Sequence, residues 1–171
     1  MKKLSLFLIL FSFATFSHAV VEQTNVDAKA NTNTAVESLK DPRVGEQFIP
    51  TSKSKEDNTI GYSFLDRNSI KLHPFNAKIR MFKEVTNYSP ALVQKNDDST
   101  VTPYHAIEID YYANCDKMEL AKGELRTIEN NFGDGKLVNT IQMPNRWLAM
   151  SQDQEQYKLL VIACSLPLAN E

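Results

Sequence analysis

The chain has 171 residues, with 19 Lys or Arg against 21 Asp or Glu, 42% hydrophobic residues and two cysteines. That near-neutral balance offers no basic footprint for nucleic acid. The length fits one domain with an extension better than two domains.

The first residues read as an export signal. Lys2 and Lys3 precede a run rich in Leu, Phe and Ile from Leu4 to Phe16, and Ser17-His18-Ala19 sets small residues where a signal peptidase inspects the chain. The run is short of the roughly 20 apolar residues that a spanning helix needs. Residues 1–19 are therefore expected to be a cleaved signal peptide, leaving a mature chain from Val20 with no stable membrane insertion. A lipid-anchored precursor would carry a cysteine directly after the cleavage site, but Val20 and Val21 stand there, so no lipoprotein is expected. The mature chain keeps 17 basic against 21 acidic side chains, a net charge of 17 − 21 = −4.

Residues 20–45 begin with "VVEQTNVDAKANTNTAVESLK", which is rich in Asn, Thr and Ala and has no aromatic residue. Such a stretch buries too little apolar surface to offset chain entropy, and a flexible linker is expected. Order is expected from about Glu46, where "EQFIPTSKSK" and "DNTIGYSFLD" form two strands around a polar turn at Glu56, Asp57 and Asn58. Pro50 lacks an N–H for a ladder, which favours an edge for the first of them.

The following pattern has the two-residue period of strands. "AKIRMFKEV", residues 77–85, puts Ile79, Met81 and Val85 on one side and Arg80, Phe82 and Glu84 on the other. "YSPALVQKNDDST", residues 88–100, reads as a polar excursion before the next strand. "YHAIEIDYYANC" then places Ile107, Ile109, Tyr111, Ala113 and Cys115 on one face and Glu108, Asp110, Tyr112 and Asn114 on the other. "KMELAKGELRTIE" is a further strand whose apolar parity changes near Ala121 and Gly123, as at a bulge. "NNFGDG" is a reversal, "KLVNTI" the strand beyond it, and a short final strand is expected.

The period then lengthens. Ser151 and Gln154 have capping-box spacing, and Tyr157, Leu160, Val161 and Cys164 recur along one helical face until Pro167 ends the helix. Trp147, directly before this helix, is expected in the core. With Cys115 and Cys164 both directed inward in an exported chain, a disulfide is expected, the alternative being two free buried thiols. It would tie the helix to the sheet.

Three stretches carry a resemblance: "YSFLDRNSI" (residues 62–70), "EIDYYANCDKMELAKGELRTIENNFGDGKLV" and "NRWLAMSQDQEQYKLLVIAC". Over residues 46–165 the chain resembles the surface-adhesin protein E family of Gram-negative bacteria. The resemblance implies an α+β fold, a single curved antiparallel sheet of about six strands, with a disulfide-tethered C-terminal helix on its concave face. Residues 166–171 would be a tail. It also implies an exported, non-enzymatic protein-binding module, periplasmic or secreted, whose partner is an extracellular host or envelope protein. Phe48 and Met81-Phe82 stand where the family carries tryptophans.

No enzyme signature is present. His73 precedes Pro74, His105 opens a strand, and neither belongs to a metal-ligand cluster; no cofactor and no metal are expected. Glu108 and Asp110 share an outer strand face, which reads as solvated rather than as an acid/base pair. With outward Tyr112 they form the expected partner-binding surface. The alternative reading is a periplasmic small-molecule carrier or envelope accessory factor, for which an apolar cavity between sheet and helix would be the mark. A weak homodimer is expected through a sheet edge free of Pro and Lys.

Overall fold

The computed structural model describes residues 39–95 and 100–169. The expected signal peptide and most of the expected linker lie outside the described residues. Among the described residues, strands β1 (Phe48–Glu56), β2 (Thr59–His73), β3 (Asn76–Lys95), β4 (Val101–Asn114), β5 (Glu119–Ile128), β6 (Leu137–Gln142) and β7 (Leu148–Ala149) precede one α-helix, α1 (Glu155–Ser165). The sheet is an antiparallel meander in the order β1-β2-β3-β4-β5-β6, with β7 beside β5. Each reversal is local: Asp57 takes a left-handed φ of 49° between β1 and β2, and Asn114 accepts the Lys117 N–H between β4 and β5. Consecutive strands can thus pair without long crossovers.

Pro50 lies on an edge strand as expected: among the described strands β1 ends the order beside β2, with an isolated bridge from its Phe48 to Val44. The irregularity expected near Gly123 is a register shift in which the Ile109–Tyr111 step of β4 faces the longer Lys122–Leu125 step of β5. One expectation fails at residues 88–100. Strand β3 continues to Lys95, and Leu92, Val93, Gln94 and Lys95 pair with Tyr104, Pro103, Thr102 and Val101. Polar side chains disguised a strand arm whose outward faces meet solvent.

The sheet is buried on both sides. On the helix side, Leu65, Ile70, Phe82, Tyr111, Ala113 and Leu120 meet Leu159, Leu160 and Ala163. On the outer side Phe48, Phe64, Val85, Ala106, Ile128 and Phe132 form a second cluster. Phe82 accordingly packs on the helix side and Val85 in the outer cluster, so both faces of β3 carry apolar side chains. The second core is roofed by the 131–133 turn, where Phe132 is held at φ 59° and its N–H donates to Asn87 Oδ1 at 2.8 Å. Arg43 stacks over the Phe48 and Phe132 rings and pairs with Asp41 and Asp134, so the chain is engaged from Asp41 onward.

The tether is formed. Cys115 and Cys164 are disulfide-bonded with Cα atoms 5.7 Å apart, although Cys115 sits in the turn just beyond β4 rather than in the strand. Arg80 donates to Ala163 O at 2.9 Å and to Leu166 O, and Lys158 donates to Thr51 O at 2.7 Å. The buried face of α1 is Leu159, Leu160 and Ala163, while Val161 is 38% exposed, a rotation from the expected stripe. The Ser151–Gln154 motif does form, with Ser151 N–H donating to Gln154 Oε1 at 2.9 Å, but it closes the turn before the helix. Trp147 is 39% exposed, which corrects its expected place in the core: the two-residue β7 leaves it at the rim. Beyond Pro167, Leu168 packs against the helix-side core and Ala169 N–H donates to Ile70 O, so the tail is docked there.

Candidate functional site: a charged groove on the outer face

The sequence Asp66-Arg67-Asn68-Ser69-Ile70 interrupts the ladder of β2, whose register against β3 shifts between Asp66 and Lys71. Asp66 Oδ1 accepts the Asn68 N–H, Ser69 Oγ donates to Asp66 O, and Lys83 N–H donates to Ser69 Oγ. The excess backbone therefore finds partners within the turn, while Ile70 tucks into the core. The excursion raises one wall of a groove of about 520 Å³ whose lining includes Asp66, Lys71, Lys83, Asp110, Tyr112 and Arg126.

Glu108 and Asp110 point into this outer face from β4. They are not a solvated pair. Arg126 lies between them on β5, donating to Glu108 at 2.8 Å, to Asp110 at 2.6 Å and to Glu124, and Lys83 adds a 3.0 Å contact to Glu108. The Glu108 and Arg126 side chains are only 12% and 18% exposed. Burial opposes the Arg126 charge, but its bonds to Asp110 and Glu124 outweigh that and hold the guanidinium protonated well above its ordinary range. The Arg126 bond likewise keeps Glu124 ionised below the usual carboxylate range. Cross-strand register sets this lattice: Lys83 opposes Asp110, and Glu108 opposes Arg126.

Tyr112 continues the face but is half-buried rather than projecting. Its ring lies against Gly123, where a Cβ would come within 2.7 Å of it, and 5.9 Å from the His73 ring. Beyond His73, Phe75 stands 92% exposed at the β2–β3 turn. Aromatic side chains thus run from groove to hairpin tip. Lys71, His73 and Phe75 were missed as site residues from sequence, because β2 was expected to end near Asp66 and the approach of its His73 to Tyr112 of β4, across β3, is a long-range property. The Phe-after-Pro turn was the one available signal. Among the described residues, no group of three or more His, Cys, Asp or Glu is placed to hold a metal ion.

The fold is an open antiparallel meander with a disulfide-tethered helix on one face and a charged groove on the other. The surface-adhesin protein E family model matches residues 48–165, and the chain belongs to that family. Its fold is similar to solved structures of Haemophilus influenzae protein E, at 18% identity and TM-score 0.56 over 71% of this chain and 86% of that one. A protein E structure from non-typeable Haemophilus influenzae gives 17% identity and TM-score 0.57 over 71% and 78%. No curated protein matches the sequence. Membership in a surface-adhesin family agrees with export, and no helix among the described residues is long and apolar enough to cross a membrane.

Proposed function

We propose that the protein is an exported, non-enzymatic binding module that recognises an extracellular host or envelope protein through its outer face. The observation that carries this reading is the groove itself, whose acids and bases are fixed by cross-strand ion pairs beside the aromatic series Tyr112, His73 and Phe75. Pre-set charges give orientation and selectivity to an encounter, and aromatic side chains supply the anchoring area. Family membership supports adhesion as its biological use. On the other face, Phe82, Tyr111 and Leu160 pack between the sheet and the helix.

Edges give a second, weaker contact. Strand β1 carries Pro50, Lys53 and Lys55, whereas β6 reads Leu-Val-Asn-Thr-Ile-Gln with Leu137 and Ile141 exposed. A weak homodimer would pair β6 with β6 of a second copy. Sedimentation over a wide concentration range tests it, with a strict monomer contradicting it. The binding function is tested by capture of partners from host plasma and from envelope fractions on the immobilised mature domain. A saturable partner is expected, and its loss with Lys71→Glu plus Phe75→Ala assigns it to the outer face. Retention of every partner by that variant removes the groove from the function.

A further inference from the structure

On the side of β5 away from β4, the ladder has a gap. Strand β6 pairs with Glu124 to Ile128 and β7 with Glu119 and Leu120, which leaves Ala121, Lys122 and Gly123 outside both pairings. The chain joining β6 to β7 is fastened at both ends of this gap: Met143 N–H donates to Gly123 O at 2.9 Å, and Leu148 pairs with Leu120. Five residue steps, from 143 to 148, thus span the three steps from 120 to 123. The excess arches away from the strand. Pro144 has no N–H to offer β5, and Arg146 N–H donates to Pro144 O at 2.7 Å, which turns the strap back. The arch encloses a cleft of about 280 Å³ whose apolar walls include Leu120, Met143, Pro144, Leu148 and Met150. Its charged lining has one sign: Lys122 and Arg146 border the cleft, and no Asp or Glu among the described residues does. Lys122 stands opposite Tyr111 in the ladder with its Nζ 5.9 Å from the centre of that ring, so its charge lies on the helix side of the sheet. Arg146 is exposed on the strap. Neither cation forms an ion pair among the described residues, whereas Arg126 on the opposite face is held by three carboxylates. Glu84 and Glu155 line a neighbouring cleft that Lys122 also borders, without an ion pair to it.

We infer that this cleft binds a medium-chain fatty acid, its acyl chain among the Leu and Met side chains and its carboxylate toward Lys122 and Arg146. Charge and lining select the class together. A ligand cation would meet two cations, a neutral amphiphile would leave both unanswered, and a small inorganic anion would gain nothing from the apolar walls. A carboxylate takes charge-assisted bonds from Lys and Arg, and flexible Met side chains adapt to an acyl chain of no fixed shape. The volume lies just under the roughly 300–1,000 Å³ of sites for drug-sized ligands, which suits a short chain rather than a ring system. The strap already lies over the free edge of β5, so a peptide strand would have to displace it. The cleft is on the helix side of the sheet, away from the ion-pair lattice of the charged groove, and its test is independent of any protein partner.

Trp147, the single tryptophan of the chain, lies on the strap and reports occupancy of the cleft. The test is a fluorescence titration of the mature domain at pH 7 with decanoate below its micelle concentration, with octanoate, 1-decanol and decylamine in parallel. NMR of the Met143 and Leu148 amides locates the site. Decanoate should give a saturable response in both readouts. Octanoate should bind roughly tenfold more weakly, from the transfer free energy of two methylenes. Decanol and decylamine should each be weaker than decanoate by roughly tenfold or more, the size of a lost hydrogen bond to a charged group. Lys122→Gln and Arg146→Gln should each weaken decanoate by a similar factor and keep the wild-type melting temperature, since neither side chain has an ion pair to lose. Equal affinity for decanol would make the cleft an apolar patch only and overturn the inference. Wild-type decanoate affinity in both variants, or no saturable response at Trp147 and the strap amides, overturns it as well.

Discussion

Replacing both Cys115 and Cys164 with Ala should cost about 4 kcal/mol by the chain-entropy relation, for the bond joins residues separated by 49 positions. The native contacts of α1 survive this change. Leu159, Leu160 and Ala163 still seat on Phe82 and Tyr111, and Arg80 still holds Ala163 O. The loss is therefore one of restraint on the unfolded chain, and the sheet should stay folded. A small domain has roughly 5–15 kcal/mol in total, so the variant should fold but be marginal. With a urea slope of about 2 kcal/mol/M, the unfolding midpoint should fall by about 2 M. Circular dichroism reads the global transition, and hydrogen exchange at residues 155–165 reads release of the helix. Wild type under reducing agent should reproduce the shift. A midpoint lowered by less than about 0.5 M, against that slope of about 2 kcal/mol/M, refutes the reasoning, because the helix would then be held by packing alone.

Glu84 has a carboxyl pushed upward by burial, so the folded state holds its proton more tightly than the unfolded chain. Its ionisation penalty is absent at low pH and grows as pH rises above the ordinary glutamate value. Glu84→Gln should accordingly match wild type near pH 4 and be more stable by thermal melting at pH 7; a constant difference across that range contradicts the assignment. Asn87→Ala removes the acceptor for the buried Phe132 N–H and should cost about 1–3 kcal/mol in urea unfolding, whereas a neutral result would mean that the 131–133 turn does not roof the outer core. Gly123→Ala drives a Cβ to 2.7 Å from the Tyr112 ring, so the NMR signals of Tyr112 and His73 should move together while those of α1 stay fixed. Unmoved Tyr112 resonances sink that contact.

Strand parity made the meander, the edge position of Pro50, the Gly123 irregularity and the cysteine pair legible, because each depends on neighbours two residues away or on export context. Polarity misled where the outer face is buried by chain from elsewhere. Glu108 and Asp110 looked solvated because Arg126, their shared partner, comes from the next strand, and Arg43 with Phe132 covers a core that no local period announces. Trp147 was read as a plug from size and position alone. Its two-residue strand has too little pairing to draw it inward. The helix face was rotated in the reading because Leu159 and Val161 are equally apolar, and only docking against Phe82 and Tyr111 distinguishes them. The groove depends on the Asp66–Ser69 turn, which the sequence displayed, and on Lys71 to Phe75, whose place beside β4 it did not.

The central claim is recognition of a protein by the outer face, and surface plasmon resonance with the mature domain over immobilised matrix and plasma proteins and envelope extracts tests it most directly. Glu108→Lys is a poor probe, since Glu108 is bound into the ion-pair lattice; Lys71→Glu and Phe75→Ala alter exposed side chains. Wild type should bind at least one partner saturably, faster at low salt. The double variant should lose about 30-fold in affinity, the ~2 kcal/mol of one aromatic hot spot, while retaining its melting temperature. Unchanged affinity in the double variant, or no saturable partner in any of these preparations, contradicts the claim.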